Sequence, residues 1–354
     1  MPTGLSFSPR SGALWFLLII GLLLTVTVFG ENSAPEVILT LAGDLYPGGA
    51  LEAILKTDPA YPFLHLQAFC RSSDLFFANL ETPIALKGDL YVEKTFTFRC
   101  QPYVIQTLTA GGINIVSLAN NHIMDYGPEA LAETIALLDQ HQIAHVGAGV
   151  NLAAARKPAI IEKNGLKVAF LAYNNTYPLE FNATANRPGT APGEARYIAA
   201  DVKEARRLAD IVVVSFHWSS ELLKERKPYQ ADLAKVAINA GAHLVVGHHP
   251  HVIQGVEVYK HGLIAYSLGN FIFASYSNRV QDGLILQVRL TPAGIKSATF
   301  YPLNINNHQV RFCPKPLTGA EAERVLQELQ MLSAPFNTKF EILADRALLI
   351  FTEQ

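Results

Sequence analysis

The chain is 354 residues long, half of them apolar and 16% charged, with a formal charge of −2 at pH 7. That balance excludes a disordered chain and supplies a large buried core, in one large domain or two small ones. The charge excludes the basic footprint of a nucleic-acid binder, and three scattered cysteines exclude a disulfide framework or a thiolate metal site. Three buried thiols are expected, Cys70 to Cys100 being the one bridge open in an oxidising compartment.

Ala13 to Phe29 is an uninterrupted apolar run between Arg10 and Gly30-Glu31-Asn32-Ser33, which reads as a secretory signal or an uncleaved signal anchor. Residues 1–35 are therefore expected to be an N-terminal anchor and linker, with the bulk of the chain outside the cytoplasm, or secreted if the segment is cleaved. Val37 to Ala42 reads as a first strand ending at Gly43-Asp44. A carboxylate there would stand at the carboxyl edge of a sheet, where α/β folds bind ligands; a solvated turn is the ordinary alternative. Leu75 to Ala78 is a second strand, and Glu81 follows it just before Pro83 stops any continuation. Lys87 to Pro102 is a polar and aromatic insertion able to cover a site. Ile113 to Leu118 is a third strand, running into Asn120, Asn121 and His122. Pro128 then opens a helix through Leu138 with Asp125 as its expected cap. A capping turn accounts for an Asn here but leaves His122 without a reason.

Val150 to Ala155 suggests a short helix, and Asn164-Gly165 between apolar runs signals a hairpin. Residues 174–192 are a long loop. Asp201 to Leu208 is helical, and Ile211 to Phe216 is a fourth strand delivering His217, Trp218 and, four residues on, Glu221. A helix from Tyr229 to Ala240, ended by Gly241, leads to the strand Ala242 to Val246. Gly247 is expected to turn the backbone into His248, His249, Pro250 and His251. Histidine is the commonest metal ligand, and Pro250 would tilt rings two residues apart toward one centre; a polar loop satisfied by backbone and water is the ordinary reading. The alternation of strands and helices from 75 to 251 is that of an α/β sheet. Thereafter hairpins predict antiparallel pairing, with Ser267 and Asn270 past the strand Leu263 to Tyr266, and His261 solvated in a turn. Thr318 with Glu321 predicts a capping box for a helix to about Leu332, and Ala347 to Phe351 a final edge strand. The expected body is residues 36–310, with 311–354 packing on it.

Asp44, Glu81, Asn121 with His122, His217, and His249 with His251 thus all follow strand-like runs. Carboxylate, amide and imidazole gathered at sheet ends suit a borderline divalent cation, and the count suits two ions sharing a carboxylate. The segments LAGDLYPGG, NLETPI, VSLANNHIMDYG, VVVSFHW, VVGHHPHVIQGVE and AYSLGNFIF resemble, in order, the signatures of the bacterial capsule synthesis, or poly-gamma-glutamate synthesis, CapA family, which is similar to the calcineurin-like metallophosphatases. The resemblance spans roughly Val37 to Phe273. It implies a two-sheet β-sandwich flanked by helices. It also implies Asp44, Glu81 (bridging), Asn121, His217, His249 and His251 as ligands of one or two divalent ions (Mn, Fe, Zn or Mg), and His122 as the general acid. Asn120, Asp125, Glu221, His248, Ser267 and Asn270 would stand behind these or face substrate.

Two departures from the phosphatase pattern stand out. Tyr46 occupies the position of a usual ligand in Asp-x-His, and spacing does not choose between His248 and His249. The resemblance implies a membrane-anchored extracytoplasmic protein acting in synthesis, export or attachment of an anionic capsule polymer. Its partners would be that polymer or its membrane synthesis and export complex, and its site hydrolase-like. The near-neutral chain would need local cations such as Lys94 or Arg99 to line an acidic-polymer groove. The alternatives are a phosphoesterase acting on a small ester, and a non-catalytic polymer-binding scaffold, the latter favoured by Tyr46.

Overall fold

The computed structural model describes residues 4–8 and 34–351. The apolar run at 13–29, and with it the anchor reading, lies outside the described residues. Among those described, no helix is long and apolar enough to cross a membrane.

The first sheet begins with four parallel strands, β1 (Val37–Tyr46), β2 (Leu75–Leu80), β3 (Ile115–Ser117) and β4 (Ala144–Val146), with helix α1 (Gly127–Gln140) crossing from β3 to β4. The second starts with the hairpin β5 (Ala159–Lys163) and β6 (Leu166–Asn174), turning through Asn164 and Gly165 at φ of 51° and 78°, the left-handed pair a tight hairpin turn requires. Beside β6 lie β7 (Ile211–His217) and β8 (Leu244–His248), all parallel and connected by helices α2 (Ala195–Leu208) and α3 (Pro228–Ala240). The hairpin β9 (Val256–Tyr259) and β10 (Gly262–Ala265) completes this sheet, β10 lying parallel to β8. The chain then returns to the first sheet. There β11 (Asn270–Phe273) pairs parallel with β1, and β12 (Asp282–Thr291) and β13 (Gly294–Asn304) extend it antiparallel. Helix α4 (Gly319–Ser333) and strands β14 (Lys339–Ile342) and β15 (Ala347–Ile350) finish the fold.

Period-two alternation gives each sheet an apolar inner face. Leu39, Leu41, Phe77, Leu286 and Val288 of the first meet Val168, Phe170, Val213 and Val246 of the second in one buried cluster, where the Phe77 and Phe170 rings stack at 5.9 Å. Ile198, Val202, Ala234 and Ile238 of α2 and α3 cover the outer side of the second sheet, and Leu108, Leu131 and Leu138 that of the first. The result is the helix-flanked α/β sandwich read from the sequence. Val325, Leu326 and Leu329 of α4 belong to the inner cluster, so the C-terminal segment shares the main core.

Several local expectations are corrected. Thr318 precedes α4 but its hydroxyl bonds no helix N–H, so no capping box forms. Strand β15 is internal, between β13 and β14; the edge is β14, where exposed Lys339 and Glu341 discourage further pairing. Helix α2 starts at Ala195, ahead of the expected Asp201. The cysteines are free, Cys100 and Cys313 buried and Cys70 half-buried. Gly247 is no turn residue: it lies within β8 opposite Phe216, and a Cβ there would sit 1.9 Å from the Tyr266 carbonyl oxygen and 2.4 Å from Trp218 Nε1. Its lack of a side chain lets Trp218 Nε1 donate to that carbonyl at 3.0 Å. Gly247→Ala should therefore destabilise the protein by about 2 kcal/mol or more, read as a lower urea midpoint at unchanged slope.

Candidate metal centre

The parallel strands of both sheets end at the same edge of the sandwich, and the chemistry-bearing residues stand there. Asp44 faces Asn79 on one neighbouring strand and Asn270 on the other. That double approach depends on Gly43, whose added Cβ would lie 1.8 Å from the Gly269 carbonyl oxygen, the acceptor of the Asp44 N–H. At the tip of β8, His249 and His251 are held at φ of 91° and 59° on either side of Pro250. Left-handed backbone at such residues costs about 1–3 kcal/mol each and persists only where packing over-determines it. Two reversals, rather than Pro250 alone, turn both rings into the site.

Glu81, His217 and His249 each offer a ligand atom within 4.8 Å of the others, and so do Asp44, Glu81 and His251. The two groups share Glu81. His251 Nδ1 lies 3.2 Å from Asp44 Oδ2 and donates to Asn270 Oδ1 at 2.8 Å, and its Nε2 is 3.9 Å from Glu81 Oε1. His217 Nε2 is 2.8 Å from Asn121 Oδ1 and 3.7 Å from Glu81 Oε1. Glu81 Oε1 and His249 Nδ1 are buried with no hydrogen-bond partner. Such atoms are costly unless something completes them, and this donor set of carboxylate, imidazole and amide suits a divalent cation, so the residues fit the ion the sequence implied. His248 is also buried with both ring nitrogens unpartnered. Its Nδ1 is 3.4 Å from Asp44 Oδ1, but it stands outside both groups, on the Phe77 side.

The electrostatics follow from burial. Burial, then the adjacent Asp44 charge, pushes the Glu81 carboxyl well above the usual range. Burial would also raise Asp44, but His248 and His251 hold it well below. Burial lowers His217 well below an ordinary imidazole and His249 to about 3, so both are neutral and available as ligands. Burial opposes protonation of His251 as well, yet the Glu81 and Asp44 carboxylates raise it to about 10. Without a cation, the His251 proton is the positive charge between the two carboxylates.

Beside this cluster, His122 Nδ1–H donates to Asp125 Oδ2 at 2.7 Å, leaving Nε2 free. Asp125 is not the cap of α1, whose first turn receives no side-chain bond. Its other oxygen accepts from Lys94 Nζ at 2.6 Å, and Oδ2 also takes the Phe98 N–H at 2.7 Å. Lys94 Nζ further donates to the Asn121 carbonyl. The ring of Phe98 is stacked between Tyr46 and His122, 4.0 Å from each, so Tyr46 buttresses the His122 ring plane instead of offering a ligand atom. The insertion thus supplies Lys94 and Phe98 to the site, whereas Arg99 is occupied by the Tyr126 ring and the Gly88 carbonyl.

Asn120 wires the loop, donating to Asn79 Oδ1 and the Leu80 carbonyl and accepting from the His122 and Ile123 N–H groups. Ser267 is spent on its own turn, donating to the Val252 carbonyl at 2.7 Å and accepting from the Gly269 N–H. Glu221 stands at the mouth, lining cavities on both sides of the cluster. Asn79 escaped the sequence reading. Its amide donates to Asp44 Oδ1 at 2.8 Å and lies 3.4 Å from Glu81 Oε2 and 3.3 Å from His217 Nδ1. Its place near the end of β2, two residues before Glu81, was the available signal.

Comparison with known proteins gives the chain's relatives. The capsule biosynthesis protein CapA of Bacillus anthracis is 32% identical over 302 residues, 82% of this chain and 72% of that protein. The PGA biosynthesis protein CapA of Bacillus subtilis (strain 168) is 30% identical over 293 residues, 82% of this chain and 77% of that protein. Among solved structures, a 5'-nucleotidase precursor from Thermus thermophilus aligns with a TM-score of 0.44 and 13% identity over 84% of this chain, which spans 58% of that one. The profile of the bacterial capsule synthesis protein PGA_cap matches residues 38–275, the stretch carrying every residue of the cluster, and the chain belongs to that family.

Proposed function

We propose that this chain acts in making, exporting or attaching an anionic capsule polymer as a metal-dependent hydrolase, held outside the cytoplasm by its apolar N-terminal segment. The observation that carries the reading is the pair of donor groups sharing Glu81 and abutting the His122–Asp125 pair. The family and the CapA relatives support the capsule role. Bound there by Asp44, Glu81, Asn121, His217, His249 and His251, divalent ions would supply Lewis-acid polarisation of a phosphoryl or acyl oxygen and activation of water.

The chain's own part is positioning and proton transfer. Asp125 accepts from His122 Nδ1–H and stabilises the imidazolium form, whose second proton, on Nε2, is the one given to the leaving group. Lys94 neutralises Asp125, and the Phe98–Tyr46 stack keeps the imidazole from rotating. Asn79 and Asn120 hold the carboxylates and the His122 loop in register before any ligand arrives.

His122→Ala should lower Mn2+-dependent turnover of a phosphodiester or gamma-glutamyl substrate by about 10²–10⁴-fold while leaving metal content per chain unchanged. In cells the same variant should stop polymer surface display. Normal polymer production with His122→Ala would show a scaffold, not a catalyst. The His251 proton gives a second test. Its folded pKa of about 10 lies above the unfolded value of about 6.5, so its contribution to stability is complete below about pH 6.5 and lost as pH rises toward 10. Chelated protein should lose urea resistance across that window, and His251→Asn should flatten the loss. Mn2+ competes with that proton, so its affinity should rise with pH and its binding release protons, measurable by calorimetry in buffers of different ionisation enthalpy.

A further inference from the structure

Two cavities flank the cluster, and Glu221 lines both. The one on the His249 and Asn121 side, about 510 Å³, is lined by Asn175, Ser219, Tyr229 and Lys227. Ser219 Oγ is buried there with an unused O–H donor and Lys227 supplies a cation, which suit an anionic group, while the unpartnered Asn175 Oδ1, an acceptor, calls for a donor such as a hydroxyl on the same ligand. The other, about 480 Å³, opens on His122 and His251 and carries more apolar side chains beside its polar ones. Four phenylalanines (Phe96, Phe98, Phe271 and Phe273), Tyr46, Leu222, Val280 and Ile305 form its walls, and among the described residues no Lys or Arg lines it.

The amide oxygens of this second lobe, and the Asn307 amide nitrogen, are already committed within the protein. Asn270 Oδ1 accepts from His251, and Asn307 donates to the Phe273 and Ser275 carbonyls at 2.7 Å each while its oxygen takes the Phe312 N–H. Ser277 Oγ accepts from the Arg279 N–H. What remains for a ligand away from His122, His251 and Glu221 is the phenylalanine and aliphatic wall, alongside the Thr97 and Ser275 side chains. A pocket of this size adjoining the reacting groups holds part of a substrate, and burial of apolar surface is the interaction this one offers.

Resting on the hydrolase reading above, we propose that the substrate is amphiphilic, its anionic part seated in the Lys227 lobe and a hydrocarbon chain next to its scissile group seated in the phenylalanine lobe. The class is an anionic headgroup or polymer end esterified to a lipid-like carrier.

Calorimetric titration of the Mn2+-loaded full chain with hexyl phosphate, methyl phosphate and 1-hexanol tests this below any micelle-forming concentration. Hexyl phosphate should bind at least about tenfold tighter than methyl phosphate, the gain that two buried methylenes supply. Phe96 is 66% exposed, so Phe96→Ser leaves the core intact; it and Val280→Asp should each bring that ratio toward one. Equal affinity for the two phosphates, or a ratio unchanged in both variants, would overturn the proposal. Should methyl phosphate fail to bind while 1-hexanol binds the parent and not Phe96→Ser, the phosphoryl reading falls and the hydrocarbon lobe stands.

Discussion

Two carboxylates buried side by side at one edge of a β-sandwich are the constraint around which this molecule is arranged. Asp44 and Glu81 are both fully enclosed, and neither can stay ionised beside the other without a positive charge between them. An uncompensated buried carboxylate costs several kcal/mol by any reasonable account. The protein meets that cost with Asn79, with His251 and with a donor set whose chemistry suits a cation. His217 and His249, kept neutral by burial, add no charge of their own.

The fold makes this placement possible because parallel strands from two facing sheets deliver their carboxyl ends to the same edge. One sheet contributes Asp44, Glu81 and the Asn120 to His122 loop, and the other His217 and the His249 and His251 tip. The strain stored at that tip and the glycine contact under Asp44 are what bring the two contributions within ligand distance. Around them the insertion between β2 and β3 acts as a wall rather than a lid. Its Lys94 completes the charge balance of Asp125, and its Phe98 joins Tyr46 to His122. Tyr46, which as a missing ligand favoured a scaffold, thus has a supporting place in the site.

That these residues would meet at the sheet edge was legible in the sequence because each follows an apolar run, and strand periodicity is a local property. The hairpin at Asn164-Gly165, the helix stop at Gly241 and the helix-flanked α/β class were legible for the same reason, since a left-handed turn or an alternating face is written in a few neighbouring residues. Local signals failed where a partner far along the chain competed. Thr318 has the composition of a cap and makes no cap bond, and Asp125 is drawn from helix capping to Lys94 and His122.

By itself, then, the sequence determined which groups would be available and that they would lie at strand ends. Tertiary structure decided how they are combined. It chose His249 over His248 for the shared cluster, made Glu81 the common member, recruited Asn79, Lys94 and Phe98, and set Gly247 inside a strand. The reason is physical: these outcomes depend on distances between strands far apart in sequence and on the sign of φ at two strained histidines, both set by packing of one sheet against the other.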